Sequence, residues 1–196
     1  MAFSTAQRAN PAWNLPNILT YGRVVAVPVL AGCLMSSDAF WVRWLALAIF
    51  ILAGISDFFD GYLARAWQQQ SSLGRMLDPI ADKLLVAASL LVLVNDRTIA
   101  GWSLWAAIVI LCREILVSGL REFLAELNVS VPVTKVAKYK TTLQLVAVGF
   151  LIAGPAGEVV LPGTLVIGVT LLWVSALLTL YTGWDYLKSG IKHVVE

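Results

Sequence analysis

Eight residues carry the most specific chemical signal in this chain: Asp57, Asp60, Gly61, Ala64, Arg65, Gly74, Asp78 and Asp82, spaced Asp-x2-Asp-Gly-x2-Ala-Arg-x8-Gly-x3-Asp-x3-Asp. If each residue type has a frequency of roughly 5–8%, a chance match at a given start is on the order of 10⁻¹⁰. On helices, Asp57 and Asp60 lie three apart and Asp78 and Asp82 four apart, so each pair shares a face. The short, uncharged stretch 67–72 between them makes antiparallel neighbours of the two helices and lets both pairs point into one space. Four carboxylates there carry a formal charge of −4, which a low-dielectric cavity does not tolerate uncompensated.

Two divalent cations would balance that charge. Oxygen-only ligands favour the hard ions Mg²⁺ or Mn²⁺ over zinc, and the single histidine, His193, falls in the C-terminal tail. A pair of metals on aspartates suits phosphoryl transfer, where it screens phosphate oxygens and stabilises a leaving group. Gly61 and Gly74, without Cβ atoms, allow a phosphate, a ribose or a neighbouring helix to approach the backbone. Arg65 offers a planar fork to a phosphate or a base carbonyl, and Ala64 keeps that wall small. Taken singly, these residues also have structural readings. Asp78 before Pro79 could be an N-cap with proline at the first helical position, Arg65 a membrane-side anchor, and Gly61 a helix-crossing residue.

The rest of the chain is built for lipid. Of its 196 residues, 59% are hydrophobic and only 13% charged, with a mean hydropathy of +0.81. That composition excludes a soluble domain and indicates an all-α polytopic membrane protein. Apolar runs of spanning length are expected at about 17–36, 40–63, 77–94, 102–124, 140–156 and 163–187, forming one six-helix bundle. Residues 1–16 then form a polar lead-in, 17–187 the catalytic domain and 188–196 a tail. No cleavable signal peptide is expected. Cys33 and Cys112 are expected as small buried hydrophobes. No nucleic-acid partner is expected.

Basic residues set the orientation. One set of connections carries Arg8, Arg65, Arg75, Arg121, Lys135, Lys138, Lys140, Lys188 and Lys192, the opposite set only Arg43 and Arg97. Both termini and the carboxylate cluster are therefore expected on the cytoplasmic side of a cytoplasmic (inner) membrane. A carboxylate at a helix centre costs roughly 2.5–3.5 kcal/mol, so the four should line a polar cavity at that surface rather than face lipid.

The eight-residue pattern resembles the signature of the CDP-alcohol phosphatidyltransferases, matching it at every position. The resemblance implies a six-helix membrane enzyme, commonly a homodimer, in which an acceptor hydroxyl attacks the diphosphate of a CDP-linked lipid and CMP leaves. It further implies that Asp57, Asp60, Asp78 and Asp82 hold two divalent ions, and that Asp57, Asp60, Gly61, Ala64, Arg65 and Gly74 surround the CDP group. Asp82 would be the general base.

Three further blocks resemble the members of the family whose acceptor is sn-glycerol 3-phosphate and whose donor is CDP-diacylglycerol. They are Asn17-Ile18-Leu19-Thr20-x2-Arg23, then Arg113-Glu114-Ile115 through Ser118-x2-Arg121-Glu122, and Lys138-x-Lys140-Thr141-Thr142-x-Gln144. A phosphorylated acceptor needs cations close to the metal site. Arg23, Arg113 and Arg121 lie in or beside apolar helices, where a lone guanidinium is costly. Arg113 and Arg121 stand roughly 80° apart around an ideal helix, so one wide cavity can receive both. Arg113, Lys138, Arg121, Lys135 and Arg23 are the expected ligands of the acceptor phosphate, with Asn17 and Thr20 lining the site. Alternatively, Glu114 and Glu122 pair with these arginines and the lysines form a solvated rim. Two other readings stay open: a sibling transferase using phosphatidylglycerol, inositol phosphate or serine, and a cation transporter with intramembrane aspartates.

Overall fold

A chain of apolar runs in lipid must satisfy its backbone within each segment, and helices do so. The computed structural model describes residues 14–36, 39–66, 72–127, 129 and 135–195. Among them are six helices: α1 Leu15–Ser36, α2 Phe40–Ala66, α3 Ser72–Asn95, α4 Ser103–Glu126, α5 Lys135–Val160 and α6 Thr164–Val195. All but α3 are long and apolar enough to cross a membrane. α3 has the length, about 36 Å at 1.5 Å per residue, but its first half carries Arg75, Asp78, Asp82 and Lys83. The protein is a multi-pass helical membrane protein.

Each expected span has its helix, with shifted ends. α6 runs past 187 to Val195, and α3 starts at Ser72 rather than near 77. Pro79 therefore lies inside α3, not at its first position, so Asp78 is no N-cap. The N-cap that does occur is Asn14, whose Oδ1 accepts the Asn17 N–H at 3.1 Å at the start of α1.

α1 packs along both α2 and α3, which touch each other only slightly; α5 packs along α6 and α2, and α4 leans on α6. The short connection between α2 and α3 suggested direct packing. Instead α1 supplies most of the surface that each of them meets. Leu30, Leu85, Leu90, Ile110, Leu151 and Leu172 fill the centre of the bundle. Lipid gives apolar side chains little reason to prefer protein, so close approach matters more than hydrophobicity here. Gly168 shows this: a Cβ there would lie 2.9 Å from Leu151 Cδ2, so α5 and α6 meet at a glycine.

The end of the bundle away from the aspartate motif is tied by charge. Arg43 Nη2 and Asp96 Oδ2 are 2.6 Å apart, and both side chains are buried. The other Asp96 oxygen accepts the Thr98 N–H at 2.8 Å, closing the turn where Arg97 takes a φ of 61°. α5 breaks at Gly154 (φ 45°, ψ −127°) just before Pro155. The Arg43 guanidinium occupies the space beside this break, 2.9 Å from where a Cβ would stand. Glu158 then accepts the N–H groups of Gly163 at 2.7 Å and Leu165 at 3.0 Å, capping α6.

Replacing Arg43 by alanine leaves the Asp96 carboxylate buried without its counter-charge. The expected loss is about 3–5 kcal/mol, measured as a lowered unfolding midpoint in detergent. Asp96→Asn should lose less, because a neutral amide needs no counter-ion.

Candidate active site

α1 is apolar except for a buried stripe at three-residue steps, Asn17, Thr20 and Arg23. This stripe reaches the aspartates of two other helices. Thr20 Oγ1 donates to Asp78 Oδ1 of α3 at 2.6 Å. Arg23 Nη1 lies 2.7 Å from Asp57 Oδ1 of α2, with the arginine side chain fully enclosed. Arg23, expected at the acceptor phosphate, thus stands among the carboxylates as the counter-charge of Asp57. Asp57 keeps an open side, with 44% of its side chain accessible.

Asp82 lies one turn beyond Asp78 on α3, and it shares a cavity wall with Glu114 and Lys140. It therefore stands between two clusters. On one side are the aspartates that α1 holds; on the other is an ionic group shared by α4, α5 and α6. In that group Glu114 Oε1 takes an ion pair from the buried Lys140 amine and another from Arg113 Nη1 at 3.1 Å. Arg113 Nη2 donates to Thr182 Oγ1 of α6 at 3.2 Å. The Arg113 stem lies flat on Gly183, where a Cβ would stand 3.0 Å from Cγ and 3.3 Å from Nε. A cavity of about 80 Å³ opens beside the ionic group, with Asp82, Lys83, Glu114, Lys140, Thr141 and Gln144 among its lining.

Other expected residues take these positions. Asp60, Gly61, Ala64 and Arg65 occupy the last two turns of α2, and Lys135 and Lys138 the first turn of α5; their side chains lie outside the described residues. Gly74 is buried near the start of α3. Arg121 is exposed two turns beyond Arg113, its guanidinium carbon 5.9 Å from the centre of the Tyr186 ring. The sequence set Lys140 with Lys135 and Lys138 on the cytoplasmic rim near the acceptor but did not show its buried pairing with Glu114, and it missed Thr182 and Gly183. The signal for Lys140 was an ammonium near Glu114-bearing apolar helices; nothing pointed to Gly183.

The donor chemistry fits hard divalent ions: Asp57, Asp78 and Asp82 offer oxygen only. Among the described residues no three ligating side chains of the His, Cys, Asp or Glu types group closely enough to enclose an ion, and the Asp60 carboxylate lies outside that description.

A second feature reaches the same end of the bundle. An apolar groove of about 910 Å³ runs between α2 and α5, past Phe50, Ile51, Gly54, Ile55 and Leu145 to Phe59 beside the motif. Ile51 and Ile55 are half exposed, so the groove opens sideways to lipid.

The ionic group makes a double-mutant test. Glu114→Ala leaves Lys140 buried without its partner, at an expected cost of about 3–5 kcal/mol. Adding Lys140→Met should restore most of the unfolding midpoint in detergent. Equal, additive losses would show that the two side chains act independently.

A family model described as CDP-alcohol phosphatidyltransferase matches residues 13–181. A CDP-diacylglycerol–glycerol-3-phosphate 3-phosphatidyltransferase of Rickettsia bellii is 44% identical, over 92% of this chain and 97% of its own. Proteins of the same name from Cereibacter sphaeroides and Salmonella choleraesuis are 38% and 39% identical. They cover 94% and 91% of this chain, and 98% and 95% of theirs. The match takes in the aspartate motif, the α1 stripe that grips it and the Arg113–Glu114 pair, and the chain belongs to the CDP-alcohol phosphatidyltransferase family.

Proposed function

We propose that the chain transfers a phosphatidyl group from CDP-diacylglycerol to sn-glycerol 3-phosphate, yielding phosphatidylglycerophosphate and CMP. The observation that carries this reading is the position of Asp82, between the aspartates gripped by α1 and the Arg113–Glu114–Lys140 group. A carboxylate there lies between a site for a diphosphate and a site for an anionic acceptor. Relatives that carry the name of this reaction over nearly their whole length support it.

The residues divide the work by chemistry. Asp57, Asp60, Gly61, Ala64, Arg65 and Gly74 surround the CDP group. The α2–α5 groove takes the acyl chains, which enter sideways from the inner leaflet. Arg113, Arg121, Lys135 and Lys138 hold the acceptor phosphate, while Arg23 orients Asp57 through their ion pair. Asn17 and Thr20 line the site, Thr20 by fixing Asp78. Asp57, Asp60, Asp78 and Asp82 would hold two divalent cations, Mg²⁺ or Mn²⁺, which when bound screen the diphosphate and stabilise the departing phosphate. Asp82 accepts the proton of the acceptor hydroxyl. The freed oxygen bonds to the lipid-side phosphorus, the bond from that phosphorus to the bridging oxygen breaks, and CMP leaves with the electron pair. Residues 17–187 form the catalytic unit, 1–16 a lead-in and 188–196 a tail. Both termini and the active site face the cytoplasm, and the chain works as a homodimer.

Purified protein in detergent with CDP-diacylglycerol should release CMP when glycerol 3-phosphate is added. Chelation should stop the reaction, and Mg²⁺ or Mn²⁺ should restore it. Asp82→Asn should lose at least about 100-fold in turnover while unfolding at a similar temperature. Turnover with phosphatidylglycerol, inositol phosphate or serine instead would retain the aspartate site and overturn the acceptor.

Gly183→Ala tests the acceptor side. It pushes the Arg113 stem aside, so KM for glycerol 3-phosphate should rise about 5- to 10-fold, the loss of part of one charged hydrogen bond. KM for CDP-diacylglycerol should stay the same. An unchanged acceptor KM would remove Arg113 from that role.

A further inference from the structure

The cavity beyond Asp82 holds a polar group that the proposed reaction has not used. Gln144 sits on α5 one turn past Lys140, so both project to the same side of the helix. It is 97% buried and lines the cavity together with Asp82, Glu114, Lys140 and Thr141. Its amide oxygen, Oε1, is enclosed and accepts no hydrogen bond. Most buried polar groups are paired, and an unmatched carbonyl on a cavity wall is open to a donor from outside the chain.

Three observations define that donor. One turn from Gln144, Lys140 is already matched by Glu114, so the visitor's portion at the amide is neutral. An amide oxygen is an acceptor only, so the visitor brings an O–H or N–H. The cavity is small, about 80 Å³, which suits a short polyol.

We propose that Gln144 is a specificity-determining residue, its Oε1 accepting a hydrogen bond from the hydroxyl of a three-carbon acceptor that does not react. This rests on the acceptor reading above and extends it. With the attacking hydroxyl at Asp82 and the phosphate toward Arg113, the secondary hydroxyl of glycerol 3-phosphate is the group left over, and it meets Gln144. An acceptor without that hydroxyl leaves Oε1 buried and unmatched, which is how a site built around a hydrogen bond rejects a deoxy analogue.

The test compares kcat/KM for glycerol 3-phosphate and for 3-hydroxypropyl phosphate, which lacks only the secondary hydroxyl. The wild-type protein should favour glycerol 3-phosphate by about 10- to 100-fold. In Gln144→Met, of similar length and no amide, the ratio should fall to near one. In Gln144→Glu, which keeps an acceptor oxygen at the same place, the preference should survive. A wild-type preference that persists in Gln144→Met overturns the proposal, as does a collapse of the ratio in Gln144→Glu. If Gln144→Met is inactive with both acceptors, the Gln144→Glu ratio decides alone. A wild-type protein that turns over neither compound but uses another acceptor overturns the functional reading and this subsite with it. Equal use of both acceptors by the wild type overturns the subsite only.

Discussion

Charge buried in a bilayer protein has to be answered by charge or hydrogen bonds from another helix, and this bundle is organised around that demand. Lone carboxylates or guanidiniums among lipid-facing helices cost several kcal/mol each. Here Arg23 of α1 answers Asp57 of α2, Thr20 of α1 answers Asp78 of α3, and Lys140 of α5 answers Glu114 of α4. None of these pairs lies within one helix. Each therefore constrains how two helices sit, and together they set five of the six around one polar space. The apolar core lacks this selectivity, since leucine is nearly as content in lipid as in protein.

The two ends of the bundle use the same interaction for different ends. Away from the motif, Arg43 and Asp96 are both buried and closed off by Thr98 and the Gly154 break. Nothing is left open, and the pair acts as a clamp. Near the motif, Asp57 keeps an accessible side and Gln144 an unanswered oxygen. The first arrangement is closed on itself, whereas the second keeps polar atoms open. About 20 Å of apolar α3 separates them, long enough for acyl chains to lie alongside the bundle in the groove between α2 and α5.

α1 has a larger part than its composition suggests. It is the helix against which both motif-bearing helices pack, so a change at Thr20 or Arg23 reaches the aspartates without touching substrate. Thr20 also lends Asp78 a short hydrogen bond, which fixes one of its oxygens. Arg113 is set in a similar way from behind: Gly183 gives room for its stem, and Thr182 takes one of its nitrogens.

The all-helical membrane class, the six helices, the motif and its hard-ligand chemistry were all legible in the sequence. They depend on local composition and on spacings of three and four residues, which one helix can express. Helix ends were less legible: a proline as at position 79 stops some helices and sits inside others, and only packing chooses. Within one helix the Arg113–Glu114 pair was open to reading; which charges meet across helices was not. Arg23 could be read as a phosphate ligand and Lys140 as a rim lysine because spacing says nothing about a partner on a different helix. The same holds for Gly183, whose missing Cβ matters only because Arg113 lies across it, and for Gln144, whose amide stands out only once it is enclosed. The sequence by itself determined the kind of chemistry, because that needs only residue types at helical spacing. The tertiary structure alone decided the partner of each charge across helices and the shape of the cavity beside Asp82, because both depend on how separate helices pack.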